Sequence, residues 1–156
     1  MITLEKAIEI SAQAHEFQQD KCGKPYITHP LRVASKFLEE KYIITALLHD
    51  VLEDGNDGIK NKLRYALRDD NEILEALGLL NHKKNTSYSE YIKNLSQNEL
   101  ARTVKMADLT DNMNEERCNI ALSLMDTQDE KDRFKRKQAT YHDSYLFLEK
   151  INNSTK

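Results

Sequence analysis

The sequence predicts an all-α protein folded as one domain over residues 1–156. Three observations carry this. Glycine and proline number only 4 and 2 in 156 residues, which leaves few positions for tight hairpins. Apolar residues recur at helical spacing, without the sustained alternation of a half-buried strand. Three segments open on Ser or Thr with Glu three residues later, the pattern of a capping box. A chain of this length encloses one core and is too short for two ordinary ones.

In order, Ala7, Ile10, Ala14 and Phe17 mark one apolar face of a helix over 3–19. The stretch from Asp20 to Pro25 breaks it, with Gly23 and Pro25 as punctuation. Thr28 then reads as an N-cap with His29 and Pro30 in the first turn, followed by Leu31, Val33, Ala34, Phe37 and Leu38. Residues 42–54, YIITALLHDVLED, are the most apolar run and predict a central, buried helix that ends at Gly55. Weaker helical patterns cover roughly 59–68 and 71–80. Ser87 with Glu90, Ser96 with Glu99, and Thr127 with Glu130 open the later helices. The last runs to about residue 151 with Phe134, Tyr141, Tyr145, Leu146 and Leu148 as packing residues, and the terminal NSTK is expected to fray.

The net charge is -3, with Lys and Arg scattered among Asp and Glu. That excludes the concentrated basic face needed to bind bulk nucleic acid. Cys22 and Cys118 are far apart and form no CxxC pair, so a reducing cytoplasm is expected. The N-terminus lacks a signal-peptide pattern, and no segment approaches the roughly 20 apolar residues of a membrane span. The oligomeric state is not legible.

The chemistry concentrates in the apolar run. His49 and Asp50 follow six residues of Ile, Thr, Ala and Leu, with Glu53 and Asp54 one turn further on. Burying an unpaired carboxylate costs on the order of several kcal/mol, and no Lys or Arg lies between Lys41 and Lys60. Either this edge faces solvent, or a divalent cation supplies the charge. A second signal is Asp108 with Asn112 one turn later, a carboxylate beside an amide on one helix face; a solvated face is the alternative. His15, His82 and His142 show no partner spacing and read as structural or surface residues, and Lys83-Lys84 as a solvated pair or a contact for phosphate.

Three segments, AHEFQQDKCGKPYITHPLRVA (14–34), ALLHDVLED (46–54) and VKMADLTDNM (104–113), together resemble the HD-domain metal-dependent phosphohydrolases. Within them the chain is similar to the hydrolase domain of the RelA/SpoT alarmone enzymes and their small stand-alone relatives. The resemblance implies a compact HD-type helical bundle. It also implies that His29, His49, Asp50 and Asp108 ligate a metal, usually manganese, although the donor set suits Fe or Zn as well. Glu53 and Asp54 match the acidic pair that orients and deprotonates the attacking water. Lys21, Tyr26 and Asn112 match substrate-binding positions, and Tyr141 and Lys83 complete the expected set. The implied reaction removes pyrophosphate from the ribose 3′ position of guanosine or adenosine alarmones. Alternatives are an HD-domain nucleotidase or dinucleotide phosphatase, or a nucleotide-binding module with little catalysis. Where family members commonly carry an Arg-Lys pair before GxPY, this chain has Asp20-Lys21, which leaves the base open.

Overall fold

The computed structural model describes residues 1–154. Ten helices, and no strand beyond an isolated bridge between Gln19 and Pro25, occur among them. They are α1 (Leu4–Ala14), α2 (Thr28–Ala34), α3 (Glu40–Leu48), α4 (Val51–Asp54), α5 (Asp57–Ala66), α6 (Asn71–Leu80), α7 (Tyr88–Leu95), α8 (Glu99–Asn112), α9 (Glu115–Ser123) and α10 (Gln128–Ser154). The all-α expectation holds.

Helix α3 is the hub. Its residues Ile44 to Leu48 are all buried, and it packs against α1, α2, α6 and α8. Such an apolar helix has no face to give to solvent, so neighbours surround it. Helix α10 lies across α7 and α8 and buries Phe134, Ser144 and Leu148 on one side.

Several boundaries differ from expectation. Helix α1 ends at Ala14, not residue 19, and Phe17 lies outside it with φ 64° and 94% exposure. Periodicity alone could not show that a bulky residue would take the left-handed region, which costs about 1–2 kcal/mol. Thr28 does not cap α2: its hydroxyl donates to the Pro25 carbonyl at 2.8 Å. Leu31 and Leu38 are 45% and 99% exposed rather than packed. Ser96 closes α7, and Asn98 caps α8 by accepting from the Ala101 N–H at 2.9 Å. Helix α9 was not expected; Asn114 ends the preceding turn and caps it through the Arg117 N–H. The Ser87 cap forms as read, and Thr127 and Glu130 bond reciprocally at the start of α10. That helix continues through Asn153 and Ser154, two of the residues expected to fray; the other two lie outside the described residues.

The run 42–54 is not one helix. It divides at His49-Asp50 into α3 and α4. The His49 Nδ1 donates to the Ala46 carbonyl at 2.6 Å, the oxygen that the Asp50 N–H would use in a continuing helix. Asp50 sits at φ -96°, ψ -6°, the sparsely populated bridge region that active-site residues often occupy.

Candidate metal centre and its cavity

Three elements bring the polar residues together. Helix α2 places His29, the α3–α4 junction places His49 and Asp50, and α8 places Asp108. His29, His49 and Asp50 each offer a ligand atom within 4.8 Å of the others. Asp108 joins them: its Oδ1 lies 3.0 Å from His29 Nε2 and 3.7 Å from His49 Nε2. Both imidazoles and Asp108 are buried, at 2–3% exposure.

The second nitrogen of each ring decides what the first can do. His29 Nδ1 lies 2.7 Å from Asp111 Oδ2, and His49 Nδ1 lies 2.6 Å from the Ala46 carbonyl. An ionised carboxylate and a carbonyl only accept, so both Nδ1 atoms carry hydrogen. In the neutral rings the two Nε2 lone pairs then face each other at 3.3 Å, with Asp50 and Asp108 beside them. Two bare nitrogens and two carboxylates directed at one volume need a positive charge between them. The donor set of imidazole and carboxylate fits a first-row divalent ion.

Without an ion, protons take that place. Burial disfavours charged imidazole, yet Asp50 and Asp108 outweigh it and hold His49 well above the ordinary value. His29 is also raised, through Asp108 and Asp111 against burial. Burial pushes Asp108 up, but Lys105 and the two histidines bring it well below the carboxylate range. Asp50 is likewise lowered by His49 against burial.

Beside this cluster opens a cavity of about 330 Å³. Of the expected substrate residues, Lys21, Tyr26, Asn112 and Tyr141 line it, as do Glu53 and Asp54. Tyr26 donates its hydroxyl hydrogen to Asp50 at 2.6 Å, and Asn112 donates to Asp108 at 2.6 Å. Asp54 accepts from Gln18 Nε2 at 3.0 Å. Burial, then the charges of Asp50 and Asp54, raise the Glu53 carboxyl above its usual value. Burial lowers Lys21, with Lys137 and Arg117 adding to it.

Lys83 is exposed and does not line the cavity; its neighbour His82 does, with its ring stacked on Tyr91 at 4.7 Å. Lys105 and Lys137 were missed. Lys105 donates to Asp108 at 2.8 Å and is the cation absent between Lys41 and Lys60, delivered from another helix. Its spacing three residues before Asp108 was a readable signal. Lys137 stands one turn before Tyr141 in the same way.

Asp20 does not project into the cavity. It opens a tight turn in which the Gly23 N–H donates to its carbonyl at 2.9 Å and Gly23 takes φ 71°. Its side chain accepts from the Cys22 and Lys24 N–H groups at 2.9 and 3.0 Å and lies 3.8 Å from Arg117. Cys22 then packs with Ala121 and Phe134, which docks the loop and leaves Lys21 on the cavity wall.

No protein-family model matches the chain. Curated proteins do. It is 31% identical over 119 residues to a guanosine-3′,5′-bis(diphosphate) 3′-pyrophosphohydrolase of Aquifex aeolicus, covering 70% of this chain and 17% of that protein. The enzyme of the same name from Haemophilus influenzae is 34% identical over 119 residues, covering 67% and 17%. The bifunctional (p)ppGpp synthase/hydrolase SpoT of Escherichia coli is 30% identical over 122 residues, covering 70% and 17%. The chain thus spans about 17% of the length of the relatives it matches.

Proposed function

The chain is related to the RelA/SpoT-type (p)ppGpp 3′-pyrophosphohydrolases through a hydrolase-domain-like segment, and from that premise we propose that it is a metal-dependent hydrolase of alarmone nucleotides. The single HD-type domain would remove pyrophosphate from the 3′ position of guanosine or adenosine tetra- or pentaphosphates. The observation that carries the reading is the pair of buried imidazoles with Nε2 atoms 3.3 Å apart, flanked by Asp50 and Asp108 at the edge of a cavity with lysines in its wall.

His29, His49, Asp50 and Asp108 would hold the ion, with manganese the assignment implied by the resemblance. A divalent ion there supplies Lewis acidity toward a phosphoryl oxygen and acidifies water. Glu53 faces the cavity with a raised carboxyl pKa, which suits a general base. It takes the proton of the attacking water as the new P–O bond forms and the bond to the ribose 3′-oxygen breaks. That oxygen picks up a proton and pyrophosphate departs. Asp54, fixed by Gln18, would orient the water; Lys21, Lys137 and Tyr141, which line the cavity, would face the phosphates and sugar. Asn112 and Lys105 hold Asp108 from either side. Free Cys22 and Cys118 suit a cytoplasmic setting. No helix among the described residues is long and apolar enough to cross a membrane.

A second reading keeps the metal chemistry and changes the nucleotide: an HD-domain nucleotidase or dinucleotide phosphatase. The arrangement of Asp20 favours it, because the loop offers no guanidinium to stack on a base. The test is incubation with Mn²⁺ and a panel of 3′-diphosphorylated guanosine and adenosine nucleotides, simple nucleotides and dinucleotides. Pyrophosphate release from the first group supports the leading reading. Orthophosphate from simple nucleotides, without pyrophosphate from alarmones, replaces it with the second.

A further inference from the structure

Asp111 is not among the proposed ligand, catalytic or substrate residues, yet it is among the most heavily engaged side chains of the molecule. It is 7% exposed and accepts from three side chains, two on α2 and one on α9. His29 Nδ1 lies at 2.7 Å; Arg32 reaches it with Nε at 2.8 Å and Nη2 at 3.1 Å; Arg117 Nη1 lies at 2.5 Å. Arg117 also extends Nη2 toward Asp20, 3.8 Å away. Its backbone carbonyl accepts from the Cys22 thiol at 3.2 Å.

We propose, resting on the metal-centre reading above, that Asp111 is the positioning residue that fixes the His29 tautomer, and that Arg117 shares it with the loop carrying Lys21. The geometry gives the reason. His29 has two carboxylates to choose from, Asp111 at Nδ1 and Asp108 at Nε2, 2.7 and 3.0 Å away. A neutral ring carries one N–H and can donate to only one of them. If it donated to Asp108, the hydrogen would fill the space where the Nε2 lone pair must meet a cation. Asp111 prevents this by being ionised and immobile. Arg32 grips it bidentately and Arg117 adds a third donor, so the carboxylate cannot swing away.

The Arg117 guanidinium joins this support to the cavity wall. One end bonds the carboxylate behind His29. The other approaches Asp20, whose side chain closes the turn on which Lys21 is the next residue. The support behind His29 and the placement of the loop therefore share one guanidinium, while Arg32 alone still holds Asp111 bidentately.

The tautomer can be read without activity. In the ¹⁵N-edited NMR spectrum of selectively labelled, chelator-treated protein above the histidine titration, His29 is expected as the Nδ1–H tautomer. Finding Nε2–H there overturns the proposal whatever any variant does. Co²⁺ titration, followed by visible absorption with Mn²⁺ competition, gives the second arm. Asp111→Asn is expected to weaken the cation by about 10–100-fold. Arg117→Gln, which leaves the His29–Asp111 bond in place, is expected to stay within about threefold of the unmodified protein for Co²⁺, while KM rises more than kcat falls. Unchanged Co²⁺ affinity in a folded Asp111→Asn protein rejects the positioning role. Unchanged KM in Arg117→Gln rejects the link to the loop. If the unmodified chain itself binds no Co²⁺, the metal-centre reading fails and this proposal fails with it, an outcome distinct from a variant that binds normally.

Discussion

At the scale of the residue, identity matters less than what holds each group. Glu53 is raised by burial and by two neighbouring carboxylates, so it takes up a proton before an ordinary glutamate would as pH falls. Since a general base must be unprotonated, kcat at saturating Mn²⁺ is expected to fall toward acid with a midpoint above 4.5, the ordinary value for this residue. Glu53→Gln should bind Co²⁺ normally and lose about 10²–10⁴-fold in kcat; steady-state rates over pH check both. Asp20 shows the opposite case, where a residue that looks wrong in sequence is sound in structure. Asp20→Arg restores the residue type common in the family, yet it removes two loop hydrogen bonds and places a cation against Arg117. The expected result is a higher KM, not a lower one. Of the proposed ligands, His49 and Asp50 stood out because a His-Asp pair in an apolar run is anomalous on one line of text, whereas His29 entered through the resemblance and Asp108 through Asn112 one turn on. Asp111 and Arg117 were not, because an acidic and a basic residue six apart show no anomaly until the fold brings His29 to them.

At the scale of the element, periodicity located α6 and the body of α3, capping-box spacing located α7 and α10, and periodicity failed where side chains compete with backbone. The division of 42–54 arises from a His49 ring taking the Ala46 carbonyl, which no apolar period records. The same competition moved the start of α8 from Ser96 to Asn98. The capping box of α10 is complete in both directions. Thr127→Ala should therefore destabilise by about 1 kcal/mol, seen as a lower urea midpoint with unchanged slope and unchanged Co²⁺ affinity. Leu48→Ala, at a fully buried position on α3 beside His49, should cost about 2–5 kcal/mol and reduce cation affinity as well.

At the scale of the whole molecule, the proposed metal centre would couple stability to pH and to a bound ion. In the chelated protein the folded His29 and His49 pKa values are raised above the ordinary 6.5. A raised folded value stabilises below the unfolded pKa, and that stabilisation is lost as pH rises through the folded pKa. Chelated protein should therefore show a Tm that declines above about pH 6.5, measured by calorimetry. Mn²⁺ at 100 times its Kd should add about 2.7 kcal/mol, most visibly on the alkaline side, where no protons compete for the Nε2 atoms.

The bond between His29 and Asp111 joins residues 82 apart in the chain. Closing so long a segment is entropically slow to be rewarded, so the ion-binding volume is expected to assemble late, once most of the bundle has formed. An ion that recognises only the finished volume cannot speed the climb to the folding barrier; it deepens the well beyond it. Chelation should accordingly hasten unfolding while leaving the refolding limb of the chevron where it was. The centre proposed to direct chemistry at a phosphate would then also set how long each molecule survives between unfolding events.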